Sequence, residues 1–541
     1  MAPRLTLRDA ACPGTALWVG IAAASGCVAV DPDPPTEIRE HPACDDPTEG
    51  PAFVAQPGPF EAHRPTAELP PGLDPRARDQ ILEMTAGLVL ADLDDDGALD
   101  LLLPQGDGDH ALYWGAGDGT FADVVRPHPG GRAASGGSVA DVDGDGDLDV
   151  LLYGVGALTL LVNEGGRAFS DQTSAWGLAP SGPGWPGGSA WSDVDGDGDL
   201  DLFVGGYAEL IEPPGNLVPS PDALWLNDGD SFRLANELLS PLSPGLTLHP
   251  VFADLDGDGD QDLVRLADFG DFAEPTSLYE NTGGAFVDRR PETLATGFAM
   301  GGAVEDLDGD GLVDLFVSNL GRPTAWRGLG AWDWVDVSAS WAAELPTAQS
   351  DVSWSMVPLD ADADGVDELW VTYGPLDPSS ADGPGYDPAQ PDRLLRRVGD
   401  TWEVTLSPAG EAAPTSSRGL VVGDLDGDGV LDAVTGVVDG QPLLARGLCT
   451  DGARLQVELR GDGPNRRGVG ARVEARTDGG FWSREVRAGG PGTFSGQGPT
   501  VHFGLGDAAS VDLLVVWPDG EEQQVPDVPA HAAITVRRTS G

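Results

Sequence analysis

At 541 residues the chain is too long for one ordinary core and suits a large repeat domain with a smaller one beside it. Thirty basic residues face 89 acidic ones, a formal net charge of -59, and such a field excludes nucleic acid and anionic lipid headgroups as partners. Disorder, the other consequence of high charge, is excluded by the 40% of hydrophobic residues, which fall in regular short runs.

The start reads as an export signal. Arg4 and Arg8 precede an apolar stretch over residues 16–24, too short to span a membrane as a helix. Ala24, Ser25, Gly26 and Cys27 then resemble a bacterial lipobox, which implies lipidation of Cys27 and a mature protein held at the bacterial outer membrane or cell surface. Cleavage without lipidation, giving a secreted or periplasmic protein, is the alternative. Residues 28–50 are polar, acidic and Pro-rich, the composition of a tether. Cys12 leaves with the signal and Cys27 takes lipid, so Cys44 and Cys449 remain as a pair for an oxidising compartment.

Seven copies of one acidic loop follow, beginning 49 to 64 residues apart. Each reads Asp-x-Asp-x-Asp-Gly or a close variant, with a further acid at the ninth position. The candidate ligands are Asp92, Asp94, Asp96 and Asp100 in loop 1, and Asp141, Asp143, Asp145 and Asp149 in loop 2. Loop 3 offers Asp193, Asp195, Asp197 and Asp201; loop 4 offers Asp254, Asp256, Asp258 and Asp262. Loop 5 has Asp306, Asp308, Asp310 and Asp314, and loop 6 has Asp360, Asp362, Asp364 and Glu368. Asp424, Asp426, Asp428 and Asp432 complete loop 7.

Before each loop lies a small, Gly-rich apolar run, and after it a continuous one such as Leu101 to Leu103 or Leu202 to Val204. Such runs read as buried strands, so the acidic loop joins two strands of a hairpin. A third strand follows, then Asn163-Glu-Gly-Gly, Asn227-Asp-Gly or Asn281-Thr-Gly-Gly, which supply residues that tolerate positive φ, and a short fourth strand ends in Phe and an acid. Four antiparallel strands per unit, seven times over, predict an all-β seven-bladed β-propeller spanning 51–448. The seventh unit lacks its outer strand, and residues 51–61 are placed to supply it. A Cys44–Cys449 disulfide would then staple the ring, worth roughly 6 kcal/mol in the chain-entropy model; two unrelated thiols are the alternative.

Carboxylates at positions 1, 3 and 5, a glycine at 6, a carbonyl at 7 and an acid at 9 supply the six or more hard oxygens that calcium prefers, up to seven ions in all. An EF-hand is excluded, because its loop needs Glu at position 12 where this chain has Leu103, Leu152, Val204, Arg265, Val317, Val371 and Thr435. The repeats resemble the FG-GAP (VCBS-type) repeats of the integrin α-subunit propeller, over about residues 85–448. That resemblance implies structural calcium and extracellular recognition.

From Ala453 the pattern changes to alternating strands, with His502-Phe-Gly-Leu-Gly506 and Trp517-Pro-Asp-Gly520 among them. Residues 453–541 resemble the ASPIC/UnbV domain, a small β-sandwich-like module, and depart from it over residues 489–497. The seven histidines are scattered and no catalytic constellation is found, so His502 reads as structural and the chain as a non-enzyme. Two enlarged loops, 207–222 and 374–392, carry Tyr207, Tyr373 and Tyr386 and suit recognition of a protein or glycan. The expected function is a calcium-binding adhesion module. The alternative is a secreted enzyme or maturation factor with a site in the channel or the C-terminal domain.

Overall fold

A computed structural model describes residues 36–539 except 43–46, 49–51, 65–83, 179–183, 210–217, 241–243, 271–272, 292–293, 295–296, 349, 377–389, 407–415, 439 and 478. The lipobox with Cys27, the signal segment, Cys44 and Tyr386 lie outside the described residues. The chain is all-β, with 49% strand and 2% helix.

Among the described residues, seven hairpin units follow one another along the chain, numbered sheets 1 to 7: sheets 2, 5, 6 and 7 have four strands, sheet 4 has five, and sheets 1 and 3 are joined by two C-terminal strands into one of eleven; each unit begins with a wholly or largely buried strand. These first strands are Val89–Ala91, Gly136–Ala140, Gly184–Ser192, Leu246–Ala253, Gly302–Glu305, Ser353–Leu359 and Ser417–Gly423. The second sheet shows the common plan: Gly136–Ala140, Asp149–Gly154, Ala157–Asn163 and Phe169–Asp171 pair antiparallel in sequence order. Each first strand touches the first strand of the next sheet, and the seventh touches the first, a closed β-propeller-like cycle. Apolar side chains of successive sheets fill the space between them; Val89, Leu102 and Trp114 of sheet 1 pack with Val139, Val150 and Leu161 of sheet 2. Small residues line the axis because the backbones converge there. A Cβ on Gly136 would sit 2.4 Å from the Phe494 carbonyl oxygen.

The outer strand of the seventh sheet comes from the other end of the chain. Phe53–Pro57 pairs antiparallel with Leu443–Gly447, Phe53 opposite Gly447. The Thr48 amide donates to the Cys449 carbonyl at 2.9 Å, and Cys449 is disulfide-bonded.

The C-terminal residues form two further four-stranded sheets packed over one core, in which Leu455, Val473, Phe503, Val515 and Ile534 are all 3% exposed or less. One sheet contains a strand from the N-terminal side, and this corrects the reading of residues 36–40 as part of a tether. Thr36–Glu40 pairs with Ala532–Arg537 along its whole length. The segment looks like a tether because an edge strand buries little side chain; four of its five residues are exposed. What holds it is the open edge of Ala532–Arg537, whose unpaired backbone groups it satisfies.

The C-terminal domain is not simply appended. Residues 488–497, the stretch that departs from the ASPIC/UnbV pattern, leave it and enter the axis of the cycle. Ala488–Gly489 pairs with Trp191 and Ala190 of sheet 3, and Gly496–Gln497 pairs with Val89 and Leu90 of sheet 1. Gly490 offers its carbonyl to His249 of sheet 4 at 3.0 Å. Thr493 donates to the Met300 carbonyl just before sheet 5 at 2.8 Å, and Ser495 accepts from the Leu420 amide of sheet 7 at 3.0 Å. Phe494 stacks on Trp354 of sheet 6 and its carbonyl lies against Gly136 of sheet 2. One loop therefore reaches six of the seven sheets and the segment that leads into the other.

Candidate metal centres

The seven acidic loops share one hydrogen-bonded form. The position-1 carboxylate accepts the amide of the glycine at position 6, as Asp141 does from Gly146 at 3.1 Å and Asp306 from Gly311 at 2.9 Å. That glycine has positive φ in every loop, from 86° at Gly97 to 104° at Gly146, which is why only glycine suits the position. Position 4 is also left-handed. It is Gly in five loops, but Asp95 in loop 1 and Ala363 in loop 6, each at φ 57°.

The ninth acid clips the hairpin. One oxygen of Asp149 accepts from the Val142 amide and the other from the Asn163 amide, both at 2.8 Å; Asp201, Asp262, Asp314 and Asp432 repeat the arrangement. A carboxylate anchored by two backbone donors keeps further lone pairs for a cation. Ligand atoms at positions 1 and 3, with position 5 or 9, lie within 4.8 Å of one another in Asp92/Asp94/Asp96, Asp141/Asp143/Asp149, Asp193/Asp195/Asp197, Asp254/Asp256/Asp262 and Asp306/Asp308/Asp314. The position-5 acids Asp96, Asp145, Asp197, Asp258, Asp310 and Asp364 are exposed, as are Asp143 and Asp195 at position 3.

Burial, and then the neighbouring carboxylates, push the ninth-position acids far above their ordinary range. Asp149, Asp201, Asp262 and Asp314 rise to about 8, and Glu368 to about 10. Buried carboxylate oxygens of Asp94, Asp141, Glu368 and Asp426 have no hydrogen-bond partner. Crowded hard oxygens with orphaned lone pairs fit a divalent cation of the calcium type, and the chemistry supplied is charge neutralisation of the turn.

Asn163, Asn227 and Asn281 do more than turn the chain. Each side-chain amide donates to the position-2 carbonyl of the preceding loop: Asn163 to Leu93 at 2.7 Å, Asn227 to Val142 at 2.9 Å, Asn281 to Val194 at 3.0 Å. The positive φ expected of these turns falls on the glycines that follow, such as Gly165, Gly229 and Gly283. Loop-to-loop stapling spans some 70 to 87 residues of sequence, so no local pattern could show it.

The C-terminal domain covers this acidic face. Every one of the 30 basic residues in the chain is arginine, and the domain directs several downward. Arg460 and Arg467 reach Asp95, Arg484 meets Asp367 at 2.6 Å, and Arg487 meets Glu305 at 2.8 Å. Loop carbonyls are taken as well: Gly146 by Arg467, Gly365 by Trp482, and Gly429 by His502. Burial drives His502 and His249 down to about 4, so both stay neutral. Between the domain and the ring lies a cavity of about 530 Å³, with Glu305, Asp367, Arg484 and Arg487 in its wall. Tyr207 and Tyr373, expected at a recognition surface, are 6% and 1% exposed and belong to the core, because the strands extend into the segments read as loops.

Residues 92–152, 141–204 and 306–371 match the FG-GAP-like repeat, and residues 461–541 match ASPIC and UnbV. The chain carries FG-GAP-like repeats and a C-terminal ASPIC/UnbV domain. Cartilage acidic protein 1 of Mus musculus is 26% identical over 355 residues, 61% of this chain and 51% of that protein. Its Homo sapiens counterpart is 28% identical over 267 residues, 46% and 38% respectively. The chain thus spans about half or less of the length of the curated relatives it matches. Among solved structures, BBS1N in complex with ARL6DN aligns at 11% identity and TM-score 0.41, over 73% of this chain and 97% of that one. An Agrocybe aegerita lectin that recognises non-reducing terminal N-acetylglucosamine aligns at 16% identity and TM-score 0.31, over 68% and 81%. Both are too distant to bear on the blade count or a ligand.

Proposed function

We propose that this chain is an exported, surface-anchored binding module: a seven-bladed propeller with calcium in its acidic loops, locked to its ASPIC/UnbV domain, that engages a protein or glycan. The observation that carries this reading is the filled axis. The channel, where a propeller enzyme would place a substrate, holds the chain's own residues 489–497, and the acidic face lies under the C-terminal domain. A partner is left the outer surface. The orphaned oxygen of buried Asp141 supports a cation in its loop, and the disulfide at Cys449 supports an oxidising destination, where lipidation at Cys27 would anchor the protein. The second reading, a secreted enzyme or maturation factor, retains one specific feature, the cavity of about 530 Å³ between ring and cap.

Thermal unfolding of the mature protein with calcium, after chelation, and after magnesium addition tests the cation. Glycan-array and surface-protein binding of the calcium-loaded protein tests the module. A calcium-specific rise in melting temperature and saturable binding are expected. Indifference to chelation would remove the cation, and turnover of a polysaccharide would favour the enzyme.

A further inference from the structure

The seven loops fall into two kinds. In loops 2, 3 and 4 the third strand ends in Asn163, Asn227 or Asn281, and no loop ligand makes an ion pair with an arginine among the described residues. In loops 5 and 7 the third strand ends instead in Arg-Gly. Gly328 and Gly447 make the backbone bond to the ninth acid, and the arginine beside each points into its own loop. Arg327 lies 3.5 Å from Asp308, whose side chain is 5% exposed; Arg446 lies 2.7 Å from Asp432 and 3.7 Å from Asp426. Loop 6 has Arg396 from its third strand, 2.6 Å from Asp364 and 3.7 Å from Asp362. Loop 1 borrows Arg167 from the neighbouring sheet, which pairs with Asp94 and lies 3.5 Å from Asp96.

We infer that these arginines stand in for the cation, so that loops 2, 3 and 4 are the tight calcium sites and loops 1, 5, 6 and 7 are compensated from within. The inference rests on calcium being the physiological cation of the loops. A guanidinium and a divalent ion that share a position-3 carboxylate repel across about 4 Å, enough to weaken calcium at least about tenfold at the effective dielectric of a protein surface. Arginine suits the role because it never deprotonates and forks onto carboxylates. Two independent features coincide in this division: the residue that ends the third strand, and the ion pairs at the loop.

Equilibrium dialysis with radioactive calcium on the intact protein, checked for folding by its melting curve, decides the matter. Three tight ions per chain are expected, and Arg327→Gln with Arg446→Gln should raise the number to five. Seven equivalent ions in the unaltered protein would overturn the division while leaving calcium in place. A count that stays at three in the double variant would overturn the arginines as its cause. No tight binding at all would instead sink the calcium reading itself. Should the double variant not fold, the count in the unaltered protein still separates three from seven.

Discussion

Phe494→Ala is the sharpest test of the axial loop. The side chain is 1% exposed and packs in the core cluster that holds Met84, Tyr153, Trp185, Met300 and Trp354, residues of five different parts of the cycle. Its ring centroid lies 6.5 Å from that of Trp354. Backbone strain is unchanged by the substitution, since alanine inherits the same φ of 59°. What is lost is the burial and the packing of one large aromatic, about 3–5 kcal/mol for Phe to Ala in a well-packed core. Because the loop belongs to the C-terminal domain and its contacts belong to the ring, the loss should destabilise both together. Denaturant unfolding followed by tryptophan fluorescence and far-UV circular dichroism should therefore show one transition moved to lower denaturant, with both signals coincident. A change below about 1 kcal/mol, or an early transition confined to the C-terminal domain, would refute the view that the loop pins the two units.

Arg265→Leu should cost about 3–5 kcal/mol, because Asp222, fully buried and 2.8 Å away, is left without its cation; Arg265→Leu with Asp222→Leu should recover most of it in the same melts. Cys449→Ser should lower stability by about 2–5 kcal/mol through loss of the bridge near the closing strand, read in non-reducing melts. A pH dependence follows from the loops. Metal-free, Asp149, Asp201 and Asp262 of loops 2, 3 and 4 hold protons up to about 8 when folded but ionise near 4 when unfolded. The folded state then binds more protons between those values, so stability falls as pH rises from about 4 to about 8, while the calcium-loaded protein stays flatter there; parallel slopes with and without calcium would contradict this.

The loops and the strands around them were legible because their signals are local: seven spaced acid clusters, each between two apolar runs. The outer strand at Phe53–Pro57 was legible too, since a unit with three strands advertises a missing fourth. What the sequence hid is whatever joins distant segments. Thr36–Glu40 has the composition of a linker and earns its strand only from a partner almost 500 residues away. Residues 489–497 read as a defect in a familiar pattern, yet glycines and small polar residues are what a narrow axis admits. Asn163 ends its third strand and Arg327 lies one residue before Gly328, the equivalent place in its own unit, and both pass for ordinary turn and surface residues. Only the fold shows that one staples loops and the other pairs with Asp308.

Closing the cycle with residues from both ends also governs when the protein can form. A ribosome adding 5–20 residues per second needs about 20 to 80 s to travel from Phe53 to Gly447, and no complete seventh sheet exists before it arrives. The cap waits longer, for Ala532–Arg537 to meet Thr36–Glu40. Early units are made with exposed inner strands and no neighbour to bury them, so the nascent chain favours staying open. A chain whose ring needs Phe53–Pro57 with Leu443–Gly447, and whose cap needs Thr36–Glu40 with Ala532–Arg537, cannot lock into its final form one unit at a time; its cooperativity is imposed by the order of synthesis as well as by packing.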